Sequence, residues 1–491
     1  MPSLPPHLLS LWIVHLLSAV AAASKASICV QLDFELPGRI YLPGSEIYKE
    51  SLGSYYTLNE RELNPSCIFR PTSTLEVSKF VKIVTKAEIP FAVRTGGHTL
   101  FSGAANIDGG VTVDMRSLHG VKVNEERTVI SIGGGAIWST DVYPELVKFD
   151  LIAAGARAPG VGIGGFVTGG GLTHLARRDG WACDTIVGYE VVLGSGEIVY
   201  ASEKENQDLW KSISGGSNNF GIVTRFDSST YPQKDMLGGT VAWNYTQSVK
   251  DSHAKAFSNF MKPENFDADA MMAFIVSYGN GVWSFLDSFF YLKPELKPPV
   301  YEQFYQIPGN VSDNLAVGTV EEIVNSLGED FPTTFPYSEQ RTYTLRSGDD
   351  SLYTALFEVW DKRTAELIEK NIHGLALQYY TQPMAVTTGQ NSMGLEPGAK
   401  DKVLITLAAT WDNAADSEFM EGWLDSMQED HVHVLSQKKA FEPFVYLNYA
   451  GRRQDPIGSY GTKEKLEEVS KKYDSQGVFQ KLVPGGHKLF K

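Results

Sequence analysis

One histidine sits inside a run of glycines and small residues, RTGGHTLFSGAANIDGG, from Arg94 to Gly110. Glycines at Gly96, Gly97 and Gly103 let backbone N–H groups approach a bound phosphate, because no Cβ atom holds the ligand away. Phosphate binding needs no imidazole. His98 is therefore either a local hydrogen-bonding group or a neutral nitrogen nucleophile, and the residues downstream must decide between the two. A second glycine cluster, GARAPGVGIGGFVTGGGLTHLARRDGWACD, spans residues 155–184. Its Gly160-x-Gly162-x-x-Gly165 matches the dinucleotide fingerprint only formally. That fingerprint needs a strand entering and an unbroken helix leaving, whereas Pro159 precedes it and Gly169, Gly170 and Gly171 stop the helix at once. A nicotinamide Rossmann site is thereby disfavoured, although the same glycines can still hold a pyrophosphate through backbone N–H groups. The chain has no Walker loop, H-E-x-x-H, G-x-S-x-G or paired C-x-x-C. P-loop, zinc and common hydrolase chemistry lose their support with them.

The elements that must position these loops are legible in outline. STLEVSKFVKIVTKAE places Leu75, Phe80, Val81 and Val84 at helical spacing, and IPFAVR then reads as a strand entering the first glycine loop. VTVDMR, TVISIGGG, YEVVLGSGEIVYA and GIVTRFDSSTYP are β segments punctuated by glycine turns. This is an α+β domain over 62–232, with an N-terminal arm from 24. Over 233–440 the texture changes to aromatic strands (GGTVAWNY, MMAFIVSY, SFLDSFFYL, KVLITLAATW) and helices (TAELIEKNIHGLAL, SEFMEGWLDSMQ). It predicts a substrate domain, an antiparallel sheet with helices on one face. Residues 441–491 form a C-terminal segment that carries a charged helix, KEKLEEVSKKY.

Composition narrows the partners. The chain of 491 residues is 43% hydrophobic and 21% charged, with a formal net charge of −15. It is globular, and it lacks the clustered basic face that nucleic acid or a stable anionic-membrane contact requires. A small-molecule partner is the better expectation. Leu8 to Ala23 is an apolar run ending in an Ala21-x-Ala23 site. Interrupted by Ser10, His15 and Ser18, it falls short of the ~20 residues of a membrane span and predicts a secretory signal peptide over 1–23. In an exported chain Cys29 and Cys67 could close a disulfide worth roughly 3 to 4 kcal/mol. Cys183, before an apolar strand, reads as a buried inert thiol. Asn244-Tyr245-Thr246 and Asn310-Val311-Ser312 are glycosylation sequons expected in exposed loops.

The order of motifs is specific. Arg94-Thr95-Gly96-Gly97-His98, GGVTVDMR with Asp114, GVGIGGFVTGGG, GWACD and Asn218-Asn219-Phe220-Gly221-Ile222-Val223-Thr224 follow one another, and Tyr446-Leu447-Asn448-Tyr449 leads to SYG, KKYD and Phe. The chain resembles the FAD-linked oxidases of the vanillyl-alcohol-oxidase/p-cresol-methylhydroxylase superfamily, in the berberine-bridge-enzyme-like, fungal-type and oxygen-dependent branch. The resemblance is close over 62–232 and good over 441–480. It implies a PCMH-type FAD domain over 62–232, to which the berberine-bridge-like segment 441–491 returns, and in which His98 is tied covalently to the C8 methyl of the flavin. It also implies cofactor contacts from Arg94, Thr95, Gly96, Gly97, Thr99, Ser102 and Gly103, from Val161, Gly162, Gly165, Gly169 and Gly170, and from Asp184, Gly221, Val223, Tyr446 and Asn448. Many relatives add a second link from a cysteine in G-x-C-P-x-V-G, where this chain has Ala158, so the resemblance implies a single link through His98.

In the same resemblance Tyr446 is the substrate base and Asn448 a positioning amide, with Tyr449, His174 and Asp184 as lesser candidates. No metal is implied. Gly485-Gly486-His487 repeats the GGH tripeptide in what reads as a solvated tail. The implied protein is a secreted, glycosylated, monomeric oxidase that takes hydride from a small organic molecule, a secondary-metabolite intermediate, with O2 as acceptor. The alternatives are a flavin-dependent oxidative cyclase, a sugar or alcohol oxidase, and a non-catalytic secreted flavin-binding protein.

Overall fold

Ser73 caps the helix Thr74–Lys86 by accepting the Glu76 N–H at 3.3 Å, and Val77, Phe80, Val81 and Val84 form its buried face. Leu75, grouped with that face by its spacing, is instead 73% exposed. The computed structural model describes residues 28–328 and 334–490, so the expected signal peptide lies outside the described residues. The capped helix shares a core with a four-stranded sheet ordered Ile40–Tyr41, Cys67–Phe69, Val111–Asp114, Phe91–Arg94, whose last three strands run parallel. Cys29 and Cys67 form a disulfide that fastens the helical residues 28–35 to this sheet, with the Cα atoms 6.1 Å apart. Cys183 is a buried free thiol, and burial pushes its pKa up.

A second, antiparallel sheet follows in the order Val121–Val123, Val129–Gly133, Ile222–Ser229, Ile186–Val192, Ile198–Ser202. The second glycine cluster contains one short α-helix, Ile163–Thr168, which ends at Gly169. A six-residue helix cannot serve as the long crossover of a Rossmann unit.

The third sheet has nine strands, paired antiparallel throughout. Its two faces differ because side chains alternate along each strand. Phe274, Val276, Phe285, Tyr379, Ile405 and Leu407 point to one side, where the helices Gln247–Phe260, Asp350–Ile368 and Ser417–Gln437 bury them in a single aromatic core. This is the antiparallel sheet with helices on one face that the sequence predicts. Two of its strands, Tyr337–Arg346 and Ala376–Pro383, were not anticipated. The helix expected through TAELIEKNIHGLAL ends at Ile368; left-handed Asn371 (φ 53°) and Gly374 (φ 68°) then turn the chain into the second of those strands.

The C-terminal segment adds Phe441–Glu442 to the edge strand Tyr337–Arg346. Further along, the Gln454 amide imitates a strand: its Oε1 accepts from Thr342 N–H at 3.0 Å and its Nε2 donates to Thr342 O at 2.7 Å. The sequons differ slightly from expectation. Asn244 and Asn310 are exposed, but on strands rather than loops, beside one another at the paired positions Trp243 and Asn310.

Replacing both Cys29 and Cys67 by serine removes a cross-link between residues 38 apart in sequence. The chain-entropy model then gives a loss of about 4 kcal/mol. The expected outcome is a clear fall in the guanidinium denaturation midpoint, which reduction of the native protein should reproduce.

Candidate functional site

Two glycine loops touch through their backbones. A Cβ on Gly96 would lie 2.4 Å from Gly162 N, and one on Gly162 would lie 2.3 Å from Gly96 N. These glycines therefore serve contact between loops, not open space for a ligand. Gly160 and Gly165 are different: a Cβ on Gly160 would meet only the His98 ring at 3.9 Å, and one on Gly165 would meet nothing. Both face a cavity of about 930 Å³ enclosed by the two loops, the turn around Ser217 and Asn218, the turn at 447–450, the end of the helix Val320–Gly328, and the face of the nine-stranded sheet opposite its three long helices.

His98 lies on the cavity wall, stacked on Tyr56 with ring centroids 3.7 Å apart. Burial holds its imidazole down to about 4, so the ring is neutral across ordinary pH. Thr95, Gly96, Gly97, Thr99, Val161, Gly162, Gly165, Gly221, Val223 and Asn448 line the same cavity. Among the described residues, the N–H groups of Gly96, Gly97, His98 and Thr99 have no backbone partner. A bound anion satisfies such donors. A mostly apolar chamber of this volume, joined to a loop of N–H groups without backbone partners, fits a flavin with its phosphates.

Seven expected contacts are placed elsewhere. Arg94 is buried against the Tyr55 ring at 3.9 Å and donates to Ser51 and Ser54, within a network that reaches Asp114 through Ser51. Burial would raise the Asp114 carboxyl, but Arg116 and Arg94 hold it down to about 2. Asp184 is a structural tie: its carboxylate accepts from Thr387 Oγ1, Thr388 N, Trp181 N and Asn391 Nδ2 at 2.7–3.2 Å. Ser102 is exposed, and Gly103 packs its carbonyl under Gly485. Gly169 gives room to the Asn448 amide, and Gly170 abuts Tyr446 and Met393.

Tyr446, the expected base, does not line the cavity. Its hydroxyl oxygen accepts from Gly171 N and Leu172 N at 3.0 Å each and from Asn448 Nδ2 at 3.1 Å, and burial pushes the phenol above its ordinary pKa. It holds the turn in place. Tyr449, two residues past Asn448's neighbour Leu447, does line the cavity, with its hydroxyl 3.4 Å from Arg157 Nη2. Asn448 also donates to Phe166 O at 2.8 Å, and its own carbonyl accepts from Gln340 Nε2 at 3.3 Å. The GGH tail is buried, not solvated: Gly485 O accepts from Asn218 Nδ2, Lys488 Nζ donates to Asn218 Oδ1 at 2.8 Å, and His487 packs on Phe101.

Several cavity residues went unrecognised in the sequence. Gln340, Gln378, Tyr380, Gln382 and Thr406 all project from the sheet. The alternation Gln378, Tyr380, Gln382 is a period-two signal that could have marked them.

The glycine-walled cavity between an α+β unit and an antiparallel sheet is the build of a flavin-dependent oxidoreductase, and comparison with known proteins agrees. Residues 65–202 match the model of a FAD binding domain family. The chain is 32% identical to the FAD-dependent monooxygenase tpcD of Cochliobolus heterostrophus, over 89% of this chain and 87% of that one. It superposes on 6-hydroxy-D-nicotine oxidase of Arthrobacter nicotinovorans with a TM-score of 0.77 at 20% identity, covering 90% and 96% of the two chains. It superposes also on a glucooligosaccharide oxidase of Acremonium strictum, described with a 6-S-cysteinyl, 8α-N1-histidyl FAD, with a TM-score of 0.72 at 19% identity over 89% and 95%. The chain belongs to the FAD-linked oxidoreductases of the vanillyl-alcohol-oxidase/PCMH type.

His174 is buried edge-on to Phe290 at 4.7 Å, and neither ring nitrogen has a hydrogen-bond partner among the described residues. Burial holds it down to about 3. Because the unfolded chain then takes the proton first, its contribution to stability is complete above about 6.5 and is lost as pH falls toward about 3. His174→Leu should flatten this acid limb by roughly 1.4 kcal/mol per pH unit near pH 5, measured from denaturation midpoints of both proteins at pH 5 and 7.

Proposed function

We propose that this protein is a secreted, glycosylated oxidase. It holds FAD through one covalent bond to His98, takes hydride from a small secondary-metabolite intermediate, and passes the electrons to O2. The observation that carries the reading is the neutral, partly enclosed His98 ring, stacked on Tyr56 beside unpaired loop N–H groups. A neutral imidazole can attack carbon without a base to free it first. His98 would hold the flavin through a nitrogen–carbon bond, giving up its N–H proton, and O2 would take up the two electrons and two protons that forming such a bond releases. Ala158, which lines the cavity, offers no thiol for a second link.

Bound flavin would supply the hydride acceptor. The chain's own residues do the rest. The glycine loops offer donors to the phosphates, Phe166, Leu172 and Phe290 shield the chamber from water, and the strand side chains orient the substrate. Tyr449 is the cavity-facing phenol of the C-terminal turn and the better placed group to take the substrate proton. The signal segment and the exposed sequons Asn244 and Asn310 support export; no helix among the described residues is long and apolar enough to cross a membrane.

Acid precipitation of the purified protein should leave the yellow colour in the pellet, and His98→Ala should move it to the supernatant. Colour wholly in the wild-type supernatant overturns the covalent bond. Tyr449→Phe should lower kcat about 100-fold or more with flavin content and denaturation midpoint unchanged. Tyr446→Phe should instead lower stability by roughly 1–3 kcal/mol, by removing the acceptor shared by three interior N–H groups.

A further inference from the structure

Among the described residues, Arg157 is the one side chain with a fixed charge on the cavity wall, and no aspartate or glutamate lines it. Its hydrogen bonds go to neutral groups. Nη2 donates to Gln382 Oε1 at 2.7 Å and lies 3.4 Å from the Tyr449 hydroxyl. Its Nε and Nη1 donate to no group among the described residues, and no carboxylate forms an ion pair with it. Gln382 is 2% exposed, on the strand Ala376–Pro383, so the guanidinium is fixed to a rigid sheet. A cation drawn partly out of water without a counter-charge is unfavourable unless an anion arrives with the ligand. Its partners belong to the sheet and to the C-terminal turn, whereas the unpaired N–H donors suited to phosphate lie in the 96–99 loop.

We propose that Arg157 is the specificity residue of this cavity and that the substrate is an organic acid, bound through an oxyanion (a carboxylate, or an acidic enol or phenol as its conjugate base) on an otherwise apolar body. Arg157 supplies charge-assisted hydrogen bonds from its unused donors. Tyr380, on the same face of the same strand as Gln382, lines the cavity beside it. The inference rests on the oxidase reading only in that substrate and flavin share this cavity.

The test titrates the purified holoprotein with benzoate and with its neutral isostere benzamide, following visible flavin absorption and, independently, heat of binding. Wild type should bind benzoate at least about tenfold more tightly than benzamide, the yield expected of one charge-assisted contact. Arg157→Gln should abolish that preference, and Arg157→Lys should keep part of it. Equal binding of the two probes by wild type, no measurable benzoate binding, or a preference that survives in Arg157→Gln overturns the proposal. So does loss of flavin from Arg157→Gln, which assigns the guanidinium to the cofactor. A wild-type protein without flavin would overturn the oxidase reading instead, and the calorimetric preference for benzoate would still report on Arg157.

Discussion

Three N–H groups converge on the phenolic oxygen of Tyr446, two from the backbone of Gly171 and Leu172 and one from the Asn448 amide. The oxygen is buried, so losing it would strand those donors where water cannot reach them. This one knot joins parts that are far apart in sequence. Gly171 and Leu172 close the glycine cluster after the helix Ile163–Thr168, while Asn448 also donates to Phe166 on that helix and is itself gripped by Gln340 of the nine-stranded sheet. The turn at 446–449 is thereby fixed to both halves of the cavity. Asn448 and Tyr449 can face the chamber because Tyr446 does not.

The chamber itself comes from a division of labour on one sheet. Strand alternation sends Tyr379, Ile405 and Leu407 to the helices and Gln378, Tyr380, Gln382 and Thr406 to the cavity. Burial of the aromatic side supplies the folding free energy, and that surplus lets the other side carry amides and hydroxyls that would be costly in an ordinary core. A Cβ on Gly238 would lie 2.1 Å from Ile323, so this glycine lets the helix Val320–Gly328 lie hard against the strand Met236–Asn244.

Much of this was legible before the structure. The helix Thr74–Lys86 and the strands ending in glycine loops announce themselves through strong periodicity and turn residues, and His98 stands out because glycine loops need no imidazole. The strands Tyr337–Arg346 and Ala376–Pro383 did not announce themselves, and the reason is physical. Their cavity faces carry glutamine, tyrosine and threonine, which erase the apolar contrast that marks a buried strand. These cavity-lining residues are thus hidden in the sequence by their own polarity. Tyr446 and Asp184 lie off the cavity lining for a different reason: a motif records which residues are needed, not whether they touch the ligand or hold the residues that do.

The pairing of Gly96 with Gly162 carries a last consequence. Any side chain at either position would push its backbone neighbour away, and the displaced loops carry His98 on one side and Arg157 on the other. The His98 ring and the Arg157 guanidinium are therefore set at one separation on the cavity wall by a contact that contains no side chain at all. Tyr56 fixes the imidazole plane from one direction, and Gln382 fixes the guanidinium from the other. A site that must hold a planar cofactor against a substrate needs this rigidity more than it needs additional polar groups, because misplacement by about 1 Å costs on the order of 100-fold in rate.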